Sequence, residues 1–158
     1  MNNGFRTYLD TLTPKKRDLA CEAVREYLKG ESEGITKLDN PIKVYELCKD
    51  LSFEEEEHAV VLLMGNNFNL KKRVEIGKGG LTETIFDIRM ILREALLCNA
   101  TTITMVHNHP SGNNNPSRID DDLTMRMKKA GELMRISLID HVIIAGNSFY
   151  SYREMGKL

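Results

Sequence analysis

The stretch Thr101-Thr102-Ile103-Thr104-Met105-Val106-His107-Asn108-His109-Pro110-Ser111-Gly112, with its continuation to Pro116-Ser117-Arg118-Ile119-Asp120, decides how this chain reads. Thr101 to Val106 is β-branched and apolar, which suits a strand. From His107 to Pro116 the composition turns to Asn, Gly and Pro, the signature of a loop. Ser117 with Asp120 three residues on reads as a helix N-cap with an acid at the third position. Leu123, Met127, Ala130 and Met134 then carry the helix. Two histidines at i and i+2 at a strand end project to the same side, about 6–7 Å apart at the backbone. Asp120, in the first helical turn, can face back across the loop. Two neutral imidazoles and one carboxylate make a three-ligand site with an open fourth position, the usual way of holding catalytic Zn²⁺.

Working outward, His58 to Met64 is a short continuous apolar run, as in a strand buried on both faces. Gly65-Asn66-Asn67 is a turn and Leu70 to Ile76 a partner strand. Thr82 and Glu83 open a helix to about Cys98, with Ile85, Ile88, Leu92, Ala95 and Leu96 as its stripe. Leu138 to Ala145 is a strand, Gly146-Asn147-Ser148 a turn, and Phe149 to Tyr152 a last short strand. Upstream, Thr13-Pro14 and Gly30 bracket an amphipathic helix over about residues 14–29, with Leu19, Ala20, Ala23, Val24, Tyr27 and Leu28 at helical spacing. Asn40-Pro41 opens a short helix bearing Val44, Leu47 and Cys48. The order αα-ββ-α-β-α-ββ predicts one layered α/β domain, residues 40–158, after a helical N-terminal segment, residues 1–39.

Composition narrows the function classes. The chain has 158 residues, 41% apolar and 28% charged, a soluble globular balance with room for a core. Net charge is 22 minus 23, or −1. Residues 1–52 hold nine basic and nine acidic side chains, and residues 53–158 hold thirteen and fourteen. Bulk charge therefore gives no argument for nucleic-acid binding. Cys21, Cys48 and Cys98 are scattered and odd in number, which suits a reducing compartment and leaves any zinc site to His and Asp. The first residues lack the apolar stretch of a signal peptide, and no run approaches a membrane span. A cytoplasmic protein with no membrane partner is expected; the oligomeric state is not readable.

Several families share a His-x-His. The amidohydrolase pattern belongs to a large barrel that this length forbids. The metallo-β-lactamase pattern needs further His and Asp where Pro110 stands. The nucleases nicknamed for those letters have their residues widely separated. Zinc deaminases need His-x-Glu and Pro-Cys-x-x-Cys, both absent. One pattern fits at every position: His-x-His, seven residues, Ser, two residues, Asp, carried by His107, His109, Ser117 and Asp120. It resembles the JAMM (MPN+) motif of zinc isopeptidases and metallopeptidases. The wording His-Asn-His-Pro-Ser-Gly-x-x-x-Pro-Ser-x-x-Asp resembles the RadC-like branch, often labelled DNA repair. Ala95-Leu96, Asn99-Ala100, Leu123-Thr124, Asp140-His141-Val142-Ile143-Ile144 and Tyr150-Ser151 extend the resemblance over about residues 40–158.

The resemblance implies a three-layer α/β fold of the JAMM/MPN, cytidine deaminase-like type, with a central mixed sheet flanked by helices. It implies a catalytic glutamate at the head of an early strand. Glu54 to Glu57 stand in a row there, and the spacing to the strand selects Glu57, with Glu56 second. It makes Ser117 an oxyanion donor, a role that competes with capping for one hydroxyl. Asn108 faces away from the histidines and is expected to fix the loop, and Ser111 and Gly112 to shape it. His141 is expected either behind the ligands through Asp140 or as a plain structural residue. Two departures stand out: residues 1–39 are too short for the helix-hairpin-helix DNA-binding module that RadC-like proteins often carry, and Met90 follows Arg89 where the family usually has Glu.

Three readings follow. The first is a zinc-dependent hydrolase acting on a peptide or isopeptide bond of a peptide or protein substrate. The second is a nucleic-acid-associated repair accessory, as binding module or metal-dependent nuclease, using Lys71, Lys72, Arg73 and Lys78 on the hairpin. The third is a metal-free scaffold, against which the complete set Glu57, His107, His109, Ser117 and Asp120 argues.

Overall fold

A computed structural model describes residues 3–32, 37–79 and 86–158. The elements are α1 (Asn3–Asp10), α2 (Pro14–Ser32), α3 (Pro41–Leu47), a 3-10 turn (Lys49–Phe53), β1 (His58–Met64), β2 (Leu70–Lys78), α4 (Ile88–Leu97), β3 (Thr102–Asn108), α5 (Arg118–Met134), β4 (Ser137–Ala145) and β5 (Ser148–Ser151). The strands form one mixed sheet in the order β2-β1-β3-β4-β5. β3 and β4 are parallel, joined by α5, and the other neighbours are antiparallel.

Strand alternation sorts the core into two layers. Ala59, Val61 and Leu63 of β1 and Ile103 and Met105 of β3 pack beneath Ile91 and Ala95 of α4 and Leu123 and Met127 of α5. Val60, Leu62, Met64, Val106, Val142 and Ile144 face the other way, onto Val44 and Leu47 of α3 and Leu51 of the 3-10 turn. The arrangement is the expected three-layer α/β fold, helices on both faces of a mixed sheet. Asn40 caps α3, its Oδ1 accepting from Lys43 N at 3.0 Å.

Local details differ from the sequence reading. β3 runs on through His107 and Asn108, because its ladders continue to Ala59 of β1 and to Ile143 and Ile144 of β4. The loop therefore begins at His109. Gly30 does not stop α2: one interior glycine costs about 1 kcal/mol, too little to end a packed helix. On α2 the packed stripe is Arg17, Ala20, Cys21 and Val24, while Leu19 and Tyr27 are exposed. α4 starts at Ile88, capped by Asp87, whose carboxylate accepts from Arg89 N at 2.9 Å. The expected start at Thr82 and Glu83, and Ile85, lie outside the described residues. Leu96 and Met134, expected in apolar stripes, are exposed.

The return from α5 to β4 is tight. Arg135 adopts a left-handed conformation and Ile136 N bonds back to Gly131 O at 2.8 Å. A Cβ on Gly131 would collide with the Ile136 carbonyl, so only glycine fits this close approach. The turn seats β4 against α5 and brings His141 beneath the helix's first turns.

Candidate metal centre

His107 sits on the same face of β3 as Ile103 and Met105, under α5, and is buried. His109 follows the strand end. Its backbone N donates to Ile144 O at 2.8 Å, and Gly112 N returns to His109 O at 3.1 Å. Gly112 has φ of 80°, the left-handed conformation this turn needs. The Ser111 hydroxyl accepts from Asn113 N at 3.4 Å, and Asn114 Nδ2 donates to Phe149 O at 3.1 Å, tying the loop to β5.

Asp120 is the third residue of α5 and closes a capping box with Ser117. Ser117 N and Ser117 Oγ both donate to Asp120 Oδ2, each at 2.7 Å, while Asp120 N donates to Ser117 Oγ at 3.2 Å. Those bonds engage Oδ2 and leave Oδ1 facing His107 Nε2 at 3.2 Å. His109 Nε2 lies 3.0 Å from His107 Nε2 and 3.7 Å from Asp120 Oδ2. One ligand atom from each of His107, His109 and Asp120 falls within 4.8 Å of the others, so the three could hold a metal ion.

The second ring nitrogens fit that chemistry. His109 Nδ1 lies 2.7 Å from Asn113 O, which can only accept, so this nitrogen carries its hydrogen. His107 Nδ1 lies 2.9 Å from His141 Nε2. Both imidazoles thus have their inner nitrogens engaged and turn Nε2 toward one carboxylate, the arrangement in which protein partners orient metal ligands. Within the cluster the carboxylate faces both imidazoles. Partial burial works to raise Asp120, but hydrogen bonds from His107 and His109 hold it far below the usual carboxylate range. The bond to Asp120 raises His109 above the usual imidazole range, burial opposing it and the Glu57 charge adding to the rise.

The four glutamates before β1 diverge. Glu54 lies 3.4 Å from His58, Glu55 3.6 Å from Arg17 and Glu56 3.8 Å from Lys78. Glu57 is half-buried and its charge is felt at His109. Its backbone is held from two sides. Gly79 N donates to Glu57 O at 2.8 Å. Asn108, buried on the opposite face from His107, accepts from His58 N at 2.7 Å and donates to Glu56 O at 2.9 Å. Asn108 thus clamps the chain on both sides of Glu57, where the sequence suggested a loop contact.

His141 enters by a different route from the expected one. Asp140 Oδ1 accepts from the backbone N of His141, at 2.8 Å, not from its ring. The ring reaches His107 and Thr124. Thr124 was visible in the sequence only as a neighbour of Leu123. Its spacing of four from Asp120, one helical turn, was the available signal. Beside His109, a cavity of about 510 Å³ is lined by Leu9 and Arg17 of the N-terminal helices, Phe53, Pro110 and Asn147. The N-terminal segment therefore walls one side of the site loop. No helix among the described residues is long and apolar enough to cross a membrane.

The sequence model of the RadC-like JAB domain matches residues 38–157. The chain belongs to this family. Its relatives include the UPF0758 proteins of Thermotoga maritima, 36% identical over 77% of this chain and 55% of that protein, and of Streptococcus gordonii, 39% identical over 77% and 54%. The UPF0758 protein of Geotalea uraniireducens is 33% identical over 88% of this chain and 61% of its own length. The chain thus spans between half and two thirds of these relatives. Membership accounts for the mixed sheet and for a His-His-Asp group at the β3–α5 junction of this RadC-like JAB domain.

Proposed function

We propose that the protein is a zinc-dependent hydrolase that cleaves a peptide or isopeptide bond in a peptide or protein substrate. One observation carries the reading: His107 Nε2, His109 Nε2 and an Asp120 oxygen converge while the second nitrogen of each imidazole is engaged. Zinc held by His107, His109 and Asp120 would supply a bound water acidified to a pKa of about 7. Glu57, fixed at the head of β1 and close enough to act on His109, is the general base that takes a proton and returns it to the leaving amine. Ser117 serves as donor to the developing oxyanion by turning toward it the O–H that otherwise donates to Asp120.

The basic hairpin supports this reading over the nucleic-acid one. Lys72 pairs with Glu94 at 2.8 Å, Arg73 with Asp50 at 2.6 Å, Lys78 with Glu56 at 3.8 Å, and Lys71 donates to Asn99 O at 2.5 Å. Each of these cations has a partner on the same chain. The free thiols Cys48 and Cys98 accord with a reducing, cytoplasmic setting. The test is metal analysis of chelator-free protein with a peptide and isopeptide cleavage screen of wild type against Glu57→Gln. About one zinc per chain, and cleavage abolished in Glu57→Gln with zinc retained, is the expected outcome. No bound divalent metal in the wild type would overturn it.

A further inference from the structure

The groups behind His107 form a hydrogen-bond chain whose direction follows from proton counting. Thr124 Oγ1 lies 2.6 Å from the main-chain carbonyl of Asp120 and 2.7 Å from His141 Nδ1. Two oxygens at 2.6 Å repel unless a hydrogen lies between them, and a hydroxyl has one. The Thr124 proton is therefore on the carbonyl, and Thr124 accepts from His141. His141 Nδ1 carries a hydrogen.

His141 is fully buried, and among the described residues its ring meets His107, Thr124, the face of Tyr152 and Phe86. Tyr152 stacks on it at 5.1 Å and 11°, and Phe86 meets it edge-on at 5.6 Å. A ligand meets a metal through a lone pair, so His107 bound at Nε2 carries its one hydrogen on Nδ1. His141 Nε2, 2.9 Å from that nitrogen, is the acceptor that holds it there. Nε2 of His107, 3.2 Å from Asp120 Oδ1, is left to face the ion.

We propose that His141 and Thr124 are positioning residues that fix the tautomer of His107 and thereby present its Nε2 lone pair for metal binding. The proposal rests on the reading of His107, His109 and Asp120 as ligands. The chain begins at the Asp120 carbonyl and ends at the imidazole that faces the Asp120 carboxylate. One ligand residue thus holds the other through the first turns of α5. In the opposite tautomer His107 Nε2–H would donate to Asp120, and metal would have to displace that hydrogen.

Two measurements test this on the full chain. Long-range ¹H–¹⁵N correlation spectra of zinc-loaded wild type should show His107 and His141 both as Nδ1–H tautomers. His141 found as Nε2–H would overturn the relay with no variant needed. In zinc titrations, Thr124→Val should bind about 10–100-fold more weakly, and Thr124→Ser should return to within about threefold of wild type. Equal zinc affinity in wild type and Thr124→Val, with zinc bound in both, would overturn the relay alone. Failure of the wild type to take up zinc would instead overturn the ligand reading and, with it, the relay's role in metal binding.

Discussion

Ser117 and Asp120 are bound to each other three times: two donors of Ser117 meet Asp120 Oδ2 at 2.7 Å, and Asp120 N returns to Ser117 Oγ. The motif that starts α5 is therefore also what aims the carboxylate. Ser117→Ala removes the hydroxyl and keeps the backbone bond. Loss of the cap costs about 0.5–2 kcal/mol, read as a shift in the urea unfolding midpoint. Zinc affinity should fall with it, because one of the bonds that turns Oδ1 toward His107 is gone. Unchanged stability and unchanged zinc affinity would show that the hydroxyl acts on neither.

Asn108 gives a second prediction. Its side chain satisfies a backbone donor at His58 and a backbone acceptor at Glu56, and it is buried. Asn108→Ala leaves groups without partners, at about 1–3 kcal/mol each. The variant should unfold at distinctly lower urea while binding zinc nearly as tightly, since no ligand loses a contact. If it cleaves substrate, activity should drop more than zinc affinity, because the clamp holds Glu57. A variant as stable as wild type would contradict the clamp.

The fold and the three residues of the candidate metal centre were legible because each rests on a short-range pattern. The apolar run His58–Met64, the β-branched Thr102–Val106 and the Ser117–Asp120 capping pair each fix an element within a few residues. His141 was ambiguous because its partners lie 34 and 17 positions away, at His107 and Thr124. Only the parallel pairing of β3 with β4 and the tight Gly131 turn bring them together. Glu56 and Glu57 sat between: their place before β1 was readable, but that Glu56 lies beside Lys78 of the neighbouring strand was not. On α2 the apolar residues misled because the packed face includes Arg17, whose guanidinium pairs with Glu55 while its chain is half-buried.

The pairing of His109 with Asp120 sets a pH dependence. Asp120 raises His109 above the usual imidazole value of about 6.5. In metal-free protein this pairing adds stability that is fully present below that value. It is lost as pH rises through the elevated one. Zinc needs the same Nε2 without its proton, so proton and metal compete. The rise in melting temperature on adding zinc should be small at about pH 5.5 and grow steadily toward about pH 8. Thermal scans with and without zinc across that range read it directly. A zinc-induced shift that does not change with pH would remove His109 from the ligand set.

The hairpin cations separate the two functional readings. Arg73 is partly buried against Asp50 at 2.6 Å, whereas Lys72 is half exposed beside Glu94. Arg73→Ala should destabilise by about 1.5–3 kcal/mol, since it strands a charged partner. Lys72→Ala should cost less than about 1 kcal/mol, the range of exposed pairs. Because these charges already have partners on the same chain, DNA added at low salt should not be retained by wild type in a gel-shift or anisotropy measurement. Bound DNA requires cations that release phosphate counterions, and its affinity falls steeply with salt. Salt-sensitive retention that weakens in Lys71→Ala and Lys72→Ala, at unchanged stability, would reverse the order of the two readings.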